Sequence, residues 1–231
     1  MLTIIVATRR WLVSVFALCL AGASAMAGEA SIGGVSVTLP APSGFCELAD
    51  GQPSDTRMLS ALRELLRPTG NQLLAMSADC AQLDKWRTGG ALLDDIAQYQ
   101  VPKDVTATFT PETLKQVCAF TRDQGQKVTA DITPDLQKRV EDVLNEVKLN
   151  EMKFLGVVDE DATACYVVFL QKIKTELGTE KTQVALYAVT ILKSKIIFYY
   201  LFRPYADNTT ATTMLTTHKA NVAALLKANG N

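Results

Sequence analysis

Four apolar segments in the last third of the chain, joined by very short connections, limit the fold more than any other feature. Each segment has the length and the β-branched and aromatic content of a strand. Connections this short require antiparallel neighbours, so the sequence predicts a β-meander. The predicted strands lie at about 152–158, 163–174, 182–192 and 195–203.

The inner strands of this meander are apolar on both faces. In the last strand Tyr200 alternates with Tyr199 and Leu201, so both faces carry large side chains. A sheet of this kind needs cover on both sides, and an amphipathic helix at about 207–227 supplies part of it. We therefore predict an α+β fold: a three-layer α/β/α sandwich around a mainly antiparallel sheet, with a C-terminal β-meander and a long C-terminal helix.

The segments before the meander give weaker signals. Thr110-Pro111 and Thr133-Pro134 each place a cap residue before a proline at the first helical position, which predicts two separate helices. The stretch 81–106 has no clear pattern. The remaining predicted elements are a strand at 35–39, a helix capped by Ser54 and a strand at 72–78.

The first residues of the chain have the pattern of an export signal. Two arginines precede an apolar run at 11–20, and small residues follow at the spacing that a signal peptidase requires, so we expect cleavage after Ala25 or Ala27. We interpret 1–27 as a cleaved signal peptide of the general secretory type and 28–231 as a single globular domain. The product would be exported, periplasmic or secreted in a bacterium. An uncleaved anchor and a twin-arginine route are the alternatives.

Four of the five cysteines remain once the leader is removed. An even number in an oxidising compartment suggests two disulfides, for which three pairings are open. Cys46 and Cys80 lie in loop-like surroundings where a crosslink is easy, and it would stabilise the fold by about 3–4 kcal/mol. Cys118, on a predicted helix, and Cys165, in an apolar strand, fit buried free thiols nearly as well as a bond. The chain has one histidine and no C-x-x-C motif, so neither a zinc site nor a thioredoxin-type site is supported.

The charge balance argues against a nucleic-acid partner. The chain has 23 basic and 24 acidic residues, and removal of the leader's two arginines leaves a net charge of −3. Phosphate binding needs a clustered basic face, whereas the lysines and arginines here are scattered. No apolar run after the leader has the length of a membrane span, so we expect none in the mature chain. The expected partner is an envelope protein or a lipid.

The order of the elements is similar to that of a known group of proteins. A short N-terminal strand ends in Leu39-Pro40, a meander comes late, an aromatic strand closes on Arg203-Pro204-Tyr205, and a long helix ends the chain. This order resembles the PsbP-like fold group, named for an extrinsic lumenal protein of photosystem II and found in exported bacterial proteins. The resemblance covers most of the mature chain without a diagnostic motif. It implies a binding or assembly role more often than catalysis, and no functional residue is carried over.

Two places combine aromatic area with a guanidinium group, a pairing enriched at interfaces. They are Trp86-Arg87 and the end of the last strand, with Arg203 and Tyr205. We take these four residues as a candidate binding surface. Ordinary packing at the edge of the core is the alternative interpretation.

The acidic clusters are the candidates for catalysis. Asp94, Asp95 and Asp159 could serve an exported carboxylate-dependent hydrolase, although the cluster at 159–161 also fits a solvated turn. His218 falls on the apolar stripe of the last helix, which favours a structural role. We therefore expect no catalytic residue, metal or cofactor. The predicted function is a non-catalytic envelope protein that binds, or helps to assemble, a protein, lipid or cell-wall partner; the hydrolase is the alternative.

Overall fold

A computed structural model describes residues 28–89, 92–103, 106–144, 147–175 and 178–230. The predicted signal peptide lies outside the described residues. The strands are β1 (Gly28–Ile32), β2 (Val35–Leu39), β3 (Phe45–Glu47), β4 (Asn71–Asp79), β5 (Ile96–Pro102), β6 (Val147–Glu160), β7 (Ala164–Thr175), β8 (Glu180–Leu192) and β9 (Lys195–Pro204). The helices are α1 (Pro53–Leu66), α2 (Cys80–Arg87), α3 (Pro111–Val143) and α4 (Thr210–Ala228), with a 3₁₀ turn at Arg67–Thr69.

A seven-stranded sheet is the centre of the fold, in the order β3-β4-β5-β9-β8-β7-β6. All of its neighbouring strands pair antiparallel. Strands β6 to β9 form the predicted meander, and β1 and β2 form a separate hairpin.

Helices cover the two faces of the sheet unequally. On one face α4 and the β1–β2 hairpin pack on the core through Met214, Val222 and Val37. The other face carries α3, whose Leu114 and Cys118 lie among buried side chains of β7 to β9. A smaller cluster joins α1 and α2 to β4. The fold is thus a three-layer α/β/α sandwich, and the predicted fold class is confirmed.

The prediction of two helices at 110 and 133 is wrong, because α3 runs through Pro134 without a break. A proline at this place removes one backbone hydrogen bond of the helix. The carbonyl that loses its donor is that of Ala130, and in the same turn the Thr133 hydroxyl donates to the Thr129 carbonyl. Buried residues continue on both sides of the proline, at Thr129 and Val140, so the packed face outweighs the local stop signal.

The poorly patterned stretch 81–106 contains most of α2 and β5, an interior strand of the sheet. We predicted loop-like surroundings for Cys46 and Cys80. Instead, Cys46 lies in β3 and Cys80 is the first residue of α2. The two form a disulfide with an S–S distance of 2.05 Å. Cys118 and Cys165 are free and buried in one cluster.

Among the described residues, no helix has the length and apolar content to cross a membrane.

Candidate binding groove

The guanidinium of Arg87, half of the first predicted surface pair, is held by a buried carboxylate. It donates through Nε and Nη2 to the carboxylate of Asp55, at 3.0 and 2.6 Å. Asp55 is fully buried and also accepts from the Ala49 amide. Trp86, next to Arg87, packs against the small cluster of α1, α2 and β4. Both residues therefore have structural contacts that explain their positions.

The second predicted pair lies at the end of β9 and is also engaged. Arg203 Nε lies 2.9 Å from Asp95 Oδ1, and Asp95 also accepts from Gln82 of α2. The Tyr205 hydroxyl donates to the Asn208 side chain at 2.7 Å. Asp95 thus connects the end of β9 to the helix that carries Trp86. That these four residues together form a binding surface remains a prediction.

The carboxylates proposed for a hydrolase are each paired with a cation. Asp94 lies 3.0 Å from Lys181, and Asp159 lies 2.8 Å from Lys219. The hydrogen bond from Lys219 lowers the pKa of Asp159. A general acid in such an enzyme needs the opposite shift. In the described ranges, no three His, Cys, Asp or Glu residues are grouped so as to hold a metal ion.

His218 lies on the sheet-facing side of α4 and is completely buried. Its Nε2 lies 2.9 Å from the Tyr199 carbonyl oxygen and donates to it. Its ring packs at an angle to those of Tyr166 and Tyr199. Burial lowers the pKa of His218 to about 4, so the ring is neutral at physiological pH.

The buried His218 predicts a loss of stability in acid. The unfolded chain takes up a proton on this histidine below pH ~6.5, whereas the folded protein does so only near pH 4. The unfolded state therefore binds more protons within this window, and the free energy of unfolding falls by about 3 kcal/mol from pH 7 to pH 4. Urea unfolding at several pH values should show a smaller fall for His218→Gln. An identical pH dependence in both proteins would contradict this role.

A groove of about 880 Å³ opens on the sheet face that carries α3. The first turns of α3 pack on the sheet through Leu114 and Cys118. Further along, Gly125 lies so close to the Phe154 ring of the edge strand β6 that a Cβ would not fit between them. The helix thus follows the β6 side of the sheet, and the centre of the face stays open. Leu66 at the end of α1 and Pro68 in the turn after it also line the groove.

The floor of the groove is a row of aromatic rings that crosses four strands. From Phe154 to Phe169, and from Phe169 to Tyr187, the ring centroids are 5.3 and 5.7 Å apart. The row continues from Tyr187 to Tyr200 at 5.1 Å and from Tyr200 to Phe202 at 6.0 Å. All five residues line the groove.

A small residue interrupts the large side chains of this floor. Ala185 pairs across the sheet with Phe169 on one side and with Phe202 on the other. Paired residues of adjacent strands share a face of the sheet, so the alanine leaves a gap between two large rings.

Helix α3 contributes both exposed apolar side chains and charged side chains to the lining of the groove. Phe120 and Ile132 of α3 line it and are 60% and 46% exposed. The charged residues among the described lining all belong to α3: Asp131, Asp135, Lys138, Arg139 and Asp142. The floor itself is uncharged. Concave, mostly apolar sites of about 300–1,000 Å³ are typical of small-molecule binding.

Comparison with known proteins adds a likeness of fold. No family model and no curated protein matches the chain. The Ran-binding protein Mog1p of Saccharomyces cerevisiae is 13% identical over 88% of this chain and 92% of its own, with a TM-score of 0.31. Cyanobacterial PsbP (CyanoP) from Synechocystis sp. PCC 6803 is 15% identical over 90% of this chain and 95% of its own, with a TM-score of 0.34. Cyanobacterial PsbP belongs to the PsbP-like group that the order of the elements resembles. The resemblance is therefore found at the level of the fold. It carries no argument about function.

Sequence reasoning missed the groove because it assumed full cover of both faces of the sheet. The aromatic residues of β7, β8 and β9 were visible as alternating patterns, but their alignment into one row depends on the register between strands. The signal that was available is Ala185, a small residue on a strand face otherwise occupied by Tyr187 and Val189.

Proposed function

We propose that this chain is an exported, non-catalytic binding protein whose groove between α3 and the sheet takes an apolar ligand. The observation that carries the proposal is the aromatic row, which forms the floor of an open groove of about 880 Å³. Each 100 Å² of apolar surface withdrawn from water there contributes about 2.5 kcal/mol before the cost of immobilising the ligand is subtracted. The leader pattern and the Cys46–Cys80 disulfide support export.

The hydrolase alternative is less well supported. Asp94, Asp95 and Asp159 each lie in an ion pair, and the single histidine is buried in the core. Among the partners predicted from the sequence, the groove favours the lipid class, because its floor is apolar and uncharged.

Enlarging Ala185 on the floor of the groove should weaken binding. Ala185→Leu places a larger side chain between Phe169 and Phe202. We expect it to raise the Kd of N-phenyl-1-naphthylamine, a neutral apolar dye, by about tenfold or more, since tenfold is 1.4 kcal/mol. Dye fluorescence titration measures this, with circular dichroism to check that the variant is folded.

Ala220→Leu is the matched control, because Ala220 is exposed on α4, on the other face of the sheet. This variant should bind the dye as the unchanged protein does. Failure of the unchanged protein to bind the dye, or equal binding by the folded Ala185→Leu protein, would refute the proposed function.

A further inference from the structure

Two tyrosine hydroxyls in the middle of the groove floor have no role in the fold. Tyr187 of β8 and Tyr200 of β9 are direct cross-strand partners, and both are half-buried. In the part of the chain that the structure describes, neither hydroxyl has a hydrogen-bond partner. Both tyrosines line the groove, so a bound ligand can supply the acceptor that the protein does not.

The rings of Tyr187 and Tyr200 are neighbours on the floor. Their centroids are 5.1 Å apart and their planes differ by 29°, so the faces are stacked against each other. Strand side chains project away from the sheet, and the hydroxyl is at the far end of the ring. Tyr187 and Tyr200 thus bring two hydroxyls on neighbouring strands to the lining of the groove.

Both hydroxyls keep their protons at physiological pH. Burial raises the pKa of Tyr187, and it raises the pKa of Tyr200 to about 12. Each can therefore donate one hydrogen bond, and a carbonyl oxygen has two lone pairs with which to accept both.

An ionised acceptor does not suit this place. The charged lining residues of the described chain belong to α3, and the floor contributes only uncharged polar groups such as Gln100 and Gln171. The two cations of the described lining, Lys138 and Arg139, belong to α3, so a carboxylate at the two tyrosines would lose its hydration without a cation on the floor to replace it, which is costly.

We propose that the ligand is an apolar molecule with an uncharged carbonyl oxygen, and that this oxygen accepts hydrogen bonds from the Tyr187 and Tyr200 hydroxyls. The inference rests on the proposed function, since it names the class of ligand for the same groove. Ketones and esters both carry such an oxygen, and the test below compares the two classes.

The test compares matched ligands by displacement of N-phenyl-1-naphthylamine. The ligands are 2-undecanone, methyl decanoate, undecane and decanoate, and the variant is Tyr187→Phe/Tyr200→Phe, which keeps the rings and removes both hydroxyls. We expect the double variant to bind the ketone or the ester about tenfold more weakly, the size expected for two neutral hydrogen bonds, and to bind undecane unchanged. The ketone and ester arms show which carbonyl source is preferred.

The other outcomes separate the two levels of the proposal. If the ketone, ester and alkane all bind equally to the unchanged protein and the variant, the carbonyl inference is wrong and the apolar groove stands. Decanoate binding as tightly as the ketone contradicts an uncharged ligand. If no ligand displaces the dye, or sedimentation shows that a dimer closes the groove, the proposed function itself fails.

Discussion

Replacing Arg87 by methionine is expected to lower the free energy of unfolding by about 3 kcal/mol. The substitution removes the partner of Asp55, a carboxylate that is 0% exposed, and leaves a buried charge without compensation. Loss of one member of a buried pair typically costs about 3–5 kcal/mol, and the lower end applies because Arg87 is itself 26% exposed. Urea unfolding at pH 7 measures the change.

The exposed pair of Arg63 and Asp50 provides the matched control. Arg63 also donates to both oxygens of one carboxylate, at 2.9 Å each, but both side chains are about half exposed. Arg63→Met should cost less than about 1 kcal/mol. Equal effects of the two substitutions would show that the Asp55 site is not desolvated as the structure has it.

Removal of the disulfide should lower the free energy of unfolding by a similar amount. Cys46→Ala/Cys80→Ala opens a crosslink between residues separated by 34 positions, which corresponds to about 3–4 kcal/mol in the chain-entropy model. The same loss should follow when the unchanged protein is unfolded in the presence of a reductant, because the reductant opens the same bond.

Thiol counting provides the control for this pairing. Denatured, unreduced protein that begins at Gly28 should show two free thiols, Cys118 and Cys165, and the folded protein should react slowly because both are buried. Four thiols, or a double variant as stable as the unchanged protein, would contradict the Cys46–Cys80 bond.

The meander could be predicted from the sequence because its information is local. Short connections force neighbouring strands to be antiparallel, and the apolar runs give their positions to within a few residues. The same local reasoning failed at Pro134. Thr133-Pro134 has the pattern of a helix start, but packing at Thr129 and Val140 keeps the helix continuous. It also failed for β5, a central strand whose pattern is interrupted by Gln98 and Gln100.

The groove could not be predicted because it depends on where one helix lies over the sheet. The pattern of β8 and β9 indicates two apolar faces, but it does not say how much of each face a helix covers. The close contact between Gly125 and Phe154 keeps α3 near the β6 edge, and no local signal links these two residues. The predicted surface at Trp86 and Arg203 relied on residue types alone, and both arginines of that surface lie in ion pairs.

The most direct test of the central claim is a map of backbone amide chemical-shift changes on titration with 2-undecanone. If the groove is the binding site, the largest changes should fall on the floor strands near Ala185 and Tyr200 and on the α3 wall near Gly125, with little change in α4. Changes concentrated around Trp86 and Tyr205, or no saturable change at all, would contradict the assignment of binding to this groove.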